Sequence, residues 1–147
     1  MCHSIHSPVR VSHYGVQYKE GGVGTILTGI CHFTSAAESH MGHCHGGSMT
    51  TVMDDVIGWT AFCSKKEPVP WSGFTAQVNV SLQRPIVVDS YLKIEGIVTA
   101  FEGRKVWIKA KLIYVGEGED EGEDIVHCTA DGLVILKREG TLLTNDI

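Results

Sequence analysis

A glycine-rich helix entrance and a carboxylate on the same predicted helix are the features of this sequence best suited to do chemistry. Gly47, Thr51, Asp54 and Gly58 recur at helical spacing, so they line one narrow face made of small or polar residues. At the start of that face, Gly46 and Gly47 leave backbone N–H groups without intrahelical partners. Asp54 lies two turns further along, roughly 10 Å at about 1.5 Å per residue. Oxyanion donors and an acid close to one cleft are the components of an acyl-transfer site.

The helix that must position these groups is predicted from Gly46 to about Cys63. Its apolar residues fall at the spacing of one buried stripe, namely Met49, Val52, Met53, Val56 and Ile57. Two prolines within residues 64–73 cannot continue a helix, so this segment is predicted to form the exit loop. We expect Asp54 to be half-buried between apolar walls. We expect Asp55, about 100° away around the helix, to be a solvated surface residue.

Alternating apolar and polar residues predict strands on both sides of the helix. Residues 11–18 and 25–33 precede it, and four alternating segments follow it. The residues expected to point inward from those four segments are Val78, Val80, Leu82, Leu92, Ile94, Val98, Val106, Ile108, Ala110, Leu112, Tyr114, Ala130, Gly132, Val134 and Leu136. The turn at residues 101–104 and an acidic loop at residues 116–124 suit antiparallel hairpins.

These elements predict an α+β fold. A long amphipathic helix needs a sheet to cover its apolar stripe, and a sheet of that many strands curls around it. One long helix wrapped by a five- to six-stranded antiparallel sheet is the hotdog fold. We therefore predict a single hotdog domain over residues 1–147, with residues 1–10 as a loose terminus.

Composition and charge exclude several classes of protein. The net charge is −5 over 147 residues, and the acidic loop carries most of it, so the rest of the chain is near neutral. It has no basic stripe, which argues against nucleic-acid binding. No apolar run approaches the roughly 18 residues of a membrane span. The first 19 residues lack the apolar core of a signal peptide and are poor in positive charge, which favours the cytoplasm and leaves a mitochondrial location open. Five cysteines without CxxC spacing predict reduced thiols.

Four motifs follow one another in the chain: His45-Gly46-Gly47 with Asp54 nine residues after the histidine, GFTAQVNV at residues 73–80, LQRP at residues 82–85, and EGRK at residues 102–105. In this order they resemble the motifs of hotdog-fold acyl-CoA thioesterases, namely the thioesterase superfamily and its phenylacetate-pathway relatives. The resemblance covers roughly residues 22–137, most of the chain.

This resemblance implies hydrolysis of an acyl-CoA thioester at a homodimer interface, in a dimer or a dimer of dimers. Coenzyme A is then part of the substrate, and no separate cofactor is implied. Asp54 matches the catalytic carboxylate, which acts as general base on water or as direct nucleophile. Gly47 matches the position whose N–H polarises the thioester carbonyl, and His45 matches the histidine that shapes the entrance loop. Thr75 matches a Ser or Thr that positions the water beside the acid of the partner subunit.

The resemblance also implies contacts to the rest of the substrate. Gly46 lies in the same helix entrance. Several relatives carry an Asn shortly before the entrance, and this loop has none, so Ser39 or His40 takes its place. Family members hold the phosphates of coenzyme A near surface basic residues, for which Arg84, Arg104 and Lys105 are the candidates here. Trp71 and Phe74 are candidates to line an acyl pocket.

A metal site is the main alternative for the histidine-rich loop. His40, His43, Cys44 and His45 are four ligand types within six residues. There is no second ligand pair at structural-zinc spacing, and His45 already belongs to the helix entrance. We therefore predict no metal.

Two other functions remain open on the same fold, because fold does not fix function. One is a non-catalytic module that binds acyl-CoA or a fatty acyl group. The other is a dehydratase for hydroxyacyl thioesters, in which His45 would pair with Asp54.

Overall fold

One antiparallel sheet packs against one helix in the part of the chain that the computed structural model describes, residues 7–114 and 124–138. Its elements are β1 (Val9–Gln17), β2 (Ile26–Phe33), α1 (Gly46–Phe62), β3 (Gly73–Leu82), β4 (Ser90–Glu102), β5 (Lys105–Tyr114) and β6 (Ile125–Leu136), with a 3-10 turn at Ser35–Ala37 between β2 and α1. The sheet order is β1-β2-β4-β5-β6-β3, and neighbouring strands are antiparallel. The predicted α+β fold, with one long helix and a six-stranded sheet, is confirmed.

The apolar stripe of α1 is what holds the helix on the sheet. All five of its predicted residues are buried, and they belong to one core cluster with the inward residues of the strands. Burying one such side chain contributes about 1.5–3 kcal/mol. The helix ends at Phe62, and Cys63 caps it, as the exit prolines predict.

The ends of three strands differ from the predictions. Leu82, expected to point inward, is 51% exposed at the end of β3. β1 begins at Val9, which is buried and pairs with Phe33, so Val9 and Arg10 belong to the sheet and not to a loose terminus. Residues 1–6 lie outside the described part. At the end of β5, the pairing with β6 shifts between Leu112 and Ile113, where His127 is the extra residue of β6; Ile113 is buried there and Tyr114 is 37% exposed instead of pointing inward. The acidic loop falls almost entirely outside the described residues.

Among the described residues, no helix has the length and apolar character that a membrane crossing requires. Their four cysteines, Cys31, Cys44, Cys63 and Cys128, are free thiols.

Gly96 on β4 lets the helix approach the sheet closely. A Cβ added there would overlap Thr60 Oγ1 and lie 3.2 Å from Val56 Cγ1. Thr60 cannot swing away without losing a bond, because its hydroxyl donates to the Val56 carbonyl at 2.7 Å. We expect Gly96→Ala to lower the free energy of unfolding by about 1–3 kcal/mol in urea titrations. The double variant Gly96→Ala/Thr60→Ala should recover part of that loss, and strictly additive effects would contradict the steric explanation.

Buried thiols predict a loss of stability at high pH. Burial raises the pKa of the Cys31 thiol to about 12 and that of Cys128 to about 11, from 9.0. Since the folded-state pKa lies above the unfolded one, this stability is present below about pH 9 and is lost as the pH rises, by up to about 1.4 kcal/mol per pH unit per thiol. Urea unfolding between about pH 7 and pH 10.5 should show the free energy of unfolding fall as the pH rises. The double variant Cys31→Ala/Cys128→Ala should show a smaller fall over the same range. An unchanged slope in that variant would contradict the assignment.

Candidate active site

His45 caps the start of α1 and determines which backbone donors are free there. Its backbone is extended, and its Nδ1 accepts a hydrogen bond from the Gly47 N–H at 2.8 Å. A neutral His45 ring therefore carries its proton on Nε2. The N–H of Gly46 has no hydrogen-bond partner among the described residues. The donor predicted at Gly47 is thus already paired, and the unpaired donor at the helix start belongs to Gly46. We call His45, Gly46 and Gly47 the donor half-site.

The loop before α1 is tied down by its own backbone. The His45 N–H donates to the Ala37 carbonyl at 2.7 Å, and the Ser39 N–H donates to the His43 carbonyl at 2.9 Å. The side chains of Ser39 and His40 are exposed in this loop. Both predicted contact residues therefore lie on an ordered turn a few residues before the helix entrance.

Asp54 and Thr75 face one cavity of the same chain. This α1–β3 cavity has a volume of about 220 Å³ and is lined by five residues of α1, four residues between positions 71 and 75, and Val134. Asp54 is exposed in the single chain, not half-buried as expected, and has no hydrogen-bond or ion-pair partner among the described residues. Thr75 lines this cavity together with Asp54 of its own chain. We call Asp54 and Thr75 the acid half-site.

A bulge in β3 turns Thr75 toward the helix. The register runs from Thr75 opposite Val134 to Gln77 opposite Leu133, which leaves Ala76 as an extra residue. In a regular strand without the bulge, Thr75 would share the outward face of Gln77, because side chains two residues apart point the same way. The alternation of apolar residues further along β3 does not reveal the bulge.

Asp55 has a partner that sequence reasoning missed. The Tyr14 hydroxyl donates to Asp55 Oδ2 at 2.8 Å, and Asp55 lines the α1–β3 cavity beside Asp54. Burial, reinforced by the charge of Asp55, raises the pKa of Tyr14 well above its usual range, so the hydroxyl stays protonated and keeps donating. The expectation of a solvated Asp55 is therefore wrong. The two residues are 41 positions apart, and no local pattern links them.

The donor and acid half-sites are separated along both α1 and β3. Gly46 and Asp54 are eight residues apart on α1, or about 12 Å along its axis. A Cβ on Gly46 would lie 2.8 Å from Leu82 Cδ1, so the helix start lies at the end of β3. Thr75 is seven residues from Leu82, or roughly 23 Å of strand. One carbonyl cannot contact both half-sites of a single chain.

No protein-family model and no curated protein matches the chain. Several solved structures match its fold. A thioesterase superfamily protein matches with a TM-score of 0.59 and 22% identity over 83% of this chain, which spans 55% of that protein's length. Zebra fish thioesterase superfamily member 2 matches with a TM-score of 0.65 and 13% identity, over 88% of this chain and 81% of the zebra fish chain. A hypothetical thioesterase protein from Streptococcus pneumoniae, solved with coenzyme A, matches with a TM-score of 0.61 and 16% identity, over 85% of this chain and 89% of the other.

The chain has the hotdog fold. The predicted likeness to hotdog-fold thioesterases is thereby confirmed at the level of the fold, with α1 as the hotdog helix. The predicted roles of the individual residues depend on the geometry of the two half-sites.

The hotdog sheet separates the three basic residues predicted to hold phosphates. Arg104 and Lys105 form the β4–β5 turn, where the Arg104 carbonyl accepts from the Leu136 N–H at 2.8 Å. Leu136 pairs with Gly73, so this turn lies at the acid end of β3. Arg84 follows β3 at the donor end. Within one chain, the three residues do not form a cluster.

The histidine-rich loop of the hotdog domain does not assemble a ligand set. Within residues 7–114 and 124–138, no three side chains of His, Cys, Asp or Glu come close enough to share a metal ion.

Proposed function

We propose that this protein is an acyl-CoA thioesterase that hydrolyses its substrate to a free acid and coenzyme A. The observation that carries the proposal is the acid half-site: an unpartnered carboxylate, Asp54, shares a cavity with the hydroxyl of Thr75. A carboxylate without partners is free to accept a proton or to attack a carbonyl carbon. A thioester is reactive enough for a positioned carboxylate and preorganised donors to suffice.

The helix entrance supplies the oxyanion donor in this proposal. Gly46 is the better candidate than Gly47, because the Gly47 N–H already donates to His45. The positive end of the α1 dipole adds to the attraction for a developing negative charge. His45 acts by fixing the geometry of this entrance.

The net reaction is then the transfer of the acyl group from coenzyme A to water. Asp54 either takes a proton from water as it attacks the carbonyl carbon, or attacks that carbon itself and is released by water in a second step. The carbonyl oxygen becomes an oxyanion, which accepts a hydrogen bond from the Gly46 N–H. Thr75 holds the water beside Asp54. The C–S bond breaks, the coenzyme A thiolate leaves and takes up a proton, and Asp54 returns to its ionised form.

A homodimer resolves the separation of the half-sites. β3 is an edge strand in the described sheet, with Phe74 39% and Leu82 51% exposed. An unpaired edge is a template for another strand. If two β3 strands meet antiparallel, the Gly73 end of one lies beside the Leu82 end of the other. The donor half-site of one protomer then faces the acid half-site of its partner, and each dimer holds two sites.

The coenzyme A in the Streptococcus pneumoniae structure supports the same ligand for this chain. In the proposed dimer, Arg84 of one protomer approaches the turn that carries Arg104 and Lys105 of the other. These residues are our candidates for the phosphates of coenzyme A, with Ser39 and His40 beside the donor half-site.

The proposal is tested by following coenzyme A release with a thiol reagent over a panel of saturated acyl-CoAs from two to twelve carbons. Release from these substrates is expected, and it would exclude a dehydratase, which needs a β-hydroxyl. Saturable binding of acyl-CoA without release would instead identify a binding module. Light scattering on the same sample should give the mass of a dimer or of a dimer of dimers.

A further inference from the structure

Gly58 is an unusual residue for the middle of a helix. Glycine in a helix interior is destabilising relative to alanine, because it loses more conformational freedom on folding. Gly58 lies twelve positions into α1 and lines the α1–β3 cavity. A Cβ added there would meet only Phe62, at 3.9 Å, which is ordinary van der Waals contact. Packing within the chain therefore gives no reason for a glycine.

Gly58 differs from two glycines of the sheet that lie against the helix. A Cβ on Gly96 would overlap Thr60, and a Cβ on Gly132 would lie 2.6 Å from Ile57 Cγ2. Those positions need glycine for close packing. Gly58 instead keeps space open, and that space is the cavity beside Asp54.

Trp71, another residue that lines the cavity, has an unfavourable backbone conformation. Its φ is 60°, a left-handed conformation that is rare for a bulky side chain. Its ring packs against Trp59 and Phe62 at centroid distances of 5.6 and 6.2 Å, yet Trp71 is 57% exposed. Strain of this kind persists where the surroundings enforce it, often at ligand sites.

We propose that the α1–β3 cavity receives the acyl group of the substrate, with Gly58 setting its depth and Trp71 forming its outer wall. This inference rests on the proposed thioesterase function and adds the class of acyl group. At about 220 Å³, the cavity is smaller than the roughly 300–1,000 Å³ of pockets for drug-sized ligands. Its aromatic walls suit an apolar group. The acyl group is therefore compact.

The charge of the cavity restricts the acyl group further. Asp54 and Asp55 both line it, and none of its ten lining residues is Lys, Arg or His. A carboxylate at the far end of an acyl chain would lie among like charges without a counter-ion, which is unfavourable in a partly desolvated site. The acyl group is therefore uncharged as well as compact.

Two substitutions should shift the acyl preference in opposite directions. Gly58→Ala narrows the cavity, and we expect kcat/KM for octanoyl-CoA relative to acetyl-CoA to fall about ten- to a hundredfold, the scale of one methylene in a hydrophobic pocket. Trp71→Ala opens it, and the same ratio should rise. Val23→Ala is the control, because it shortens an exposed apolar side chain outside the cavity and should leave the ratio unchanged. Equal losses on both substrates in Gly58→Ala would overturn the proposal.

A second pair of substrates tests whether the cavity excludes charged acyl groups. Butyryl-CoA and succinyl-CoA have equal chain lengths, and the wild type should prefer butyryl-CoA by about tenfold or more. Asp55→Asn keeps an acceptor for Tyr14 and removes one charge, so it should reduce that preference. A wild type that hydrolyses both equally well would overturn the restriction to uncharged groups.

A binding measurement separates this inference from the thioesterase proposal. Butan-1-ol, hexan-1-ol and octan-1-ol need no catalysis, and Trp59 and Trp71 report on the cavity by fluorescence. Saturable binding of hexan-1-ol that weakens about tenfold in Gly58→Ala supports the cavity even if no acyl-CoA is hydrolysed. Absence of binding, or equal binding by Gly58→Ala, would overturn it even if hydrolysis is observed.

Discussion

Replacing Asp54 by asparagine is expected to lower kcat for acyl-CoA hydrolysis by about 10²–10⁴-fold. Asparagine has nearly the same shape, but it can neither accept the proton from water nor form an acyl intermediate. Because Asp54 is exposed and has no partner among the described residues, its loss should leave folding unchanged. The thermal midpoint of unfolding should therefore match the wild type, while release of coenzyme A falls.

Asp131→Asn is the matched control for that variant. Asp131 is an exposed carboxylate on β6 outside the α1–β3 cavity, so its replacement makes the same change in net charge at a distance from the reaction. It should retain wild-type turnover. Turnover that survives in Asp54→Asn, or falls equally in Asp131→Asn, would remove Asp54 from the mechanism.

A single turnover in H₂¹⁸O distinguishes the two roles of Asp54. If Asp54 activates water, the first molecule of acid released carries ¹⁸O. If Asp54 attacks the carbonyl carbon and water then opens the resulting anhydride at the carboxyl carbon of Asp54, that first molecule carries an oxygen from the carboxylate, and ¹⁸O enters the protein instead. Mass spectrometry of the product and of the peptide that contains Asp54 reads both outcomes.

The helix and strands of this fold could be predicted from the spacing of apolar residues, because that spacing reflects which side chains are buried. Met49, Val52 and Val56 repeat at the helical period and lie against the sheet, and Leu92 and Ile94 repeat at the strand period and lie under the helix. Position along the chain also predicts which groups flank the helix entrance. For these features, the local spacing of residues is enough to predict where they lie in the fold.

The parts of the site that depend on long-range register could not be predicted. Thr75 faces the cavity because β3 has an extra residue opposite β6, and Asp55 accepts a hydrogen bond from Tyr14 of β1, the edge strand opposite β3. The sequence also does not show that the His45 ring accepts from the Gly47 N–H and leaves the Gly46 N–H without a partner among the described residues. The first two features depend on pairings between distant residues, and the third depends on the direction in which one side chain points.

Replacing Gly46 by proline is expected to lower kcat by about 10²–10³-fold, the usual loss for one oxyanion donor. Gly46 is the first residue of α1, where proline is well tolerated because that N–H makes no intrahelical bond. The preceding residue, His45, has ψ 135°, which is the extended conformation that a following proline requires. The variant should therefore fold, with the donor removed and a Cβ added toward Leu82.

Gly46→Ala is the control, because it adds a Cβ toward Leu82 and keeps the N–H. Its turnover should exceed that of Gly46→Pro by at least about tenfold, since only the proline lacks the donor. If both variants lose activity equally, crowding against Leu82 explains the loss, and Gly46 is not the donor.

Mixing the Gly46→Pro and Asp54→Asn proteins tests how the two half-sites combine. In a mixed dimer with shared sites, the intact donor of one chain faces the intact acid of the other, so one of the two sites is complete. Subunit exchange should then restore activity toward half that of the wild type per mixed dimer, although each parent protein is nearly inactive. If donor and acid acted within one chain, every site in the mixture would carry a defect, and no activity would return. Because about 12 Å of helix separates Gly46 from Asp54, the geometry of the single chain favours recovery.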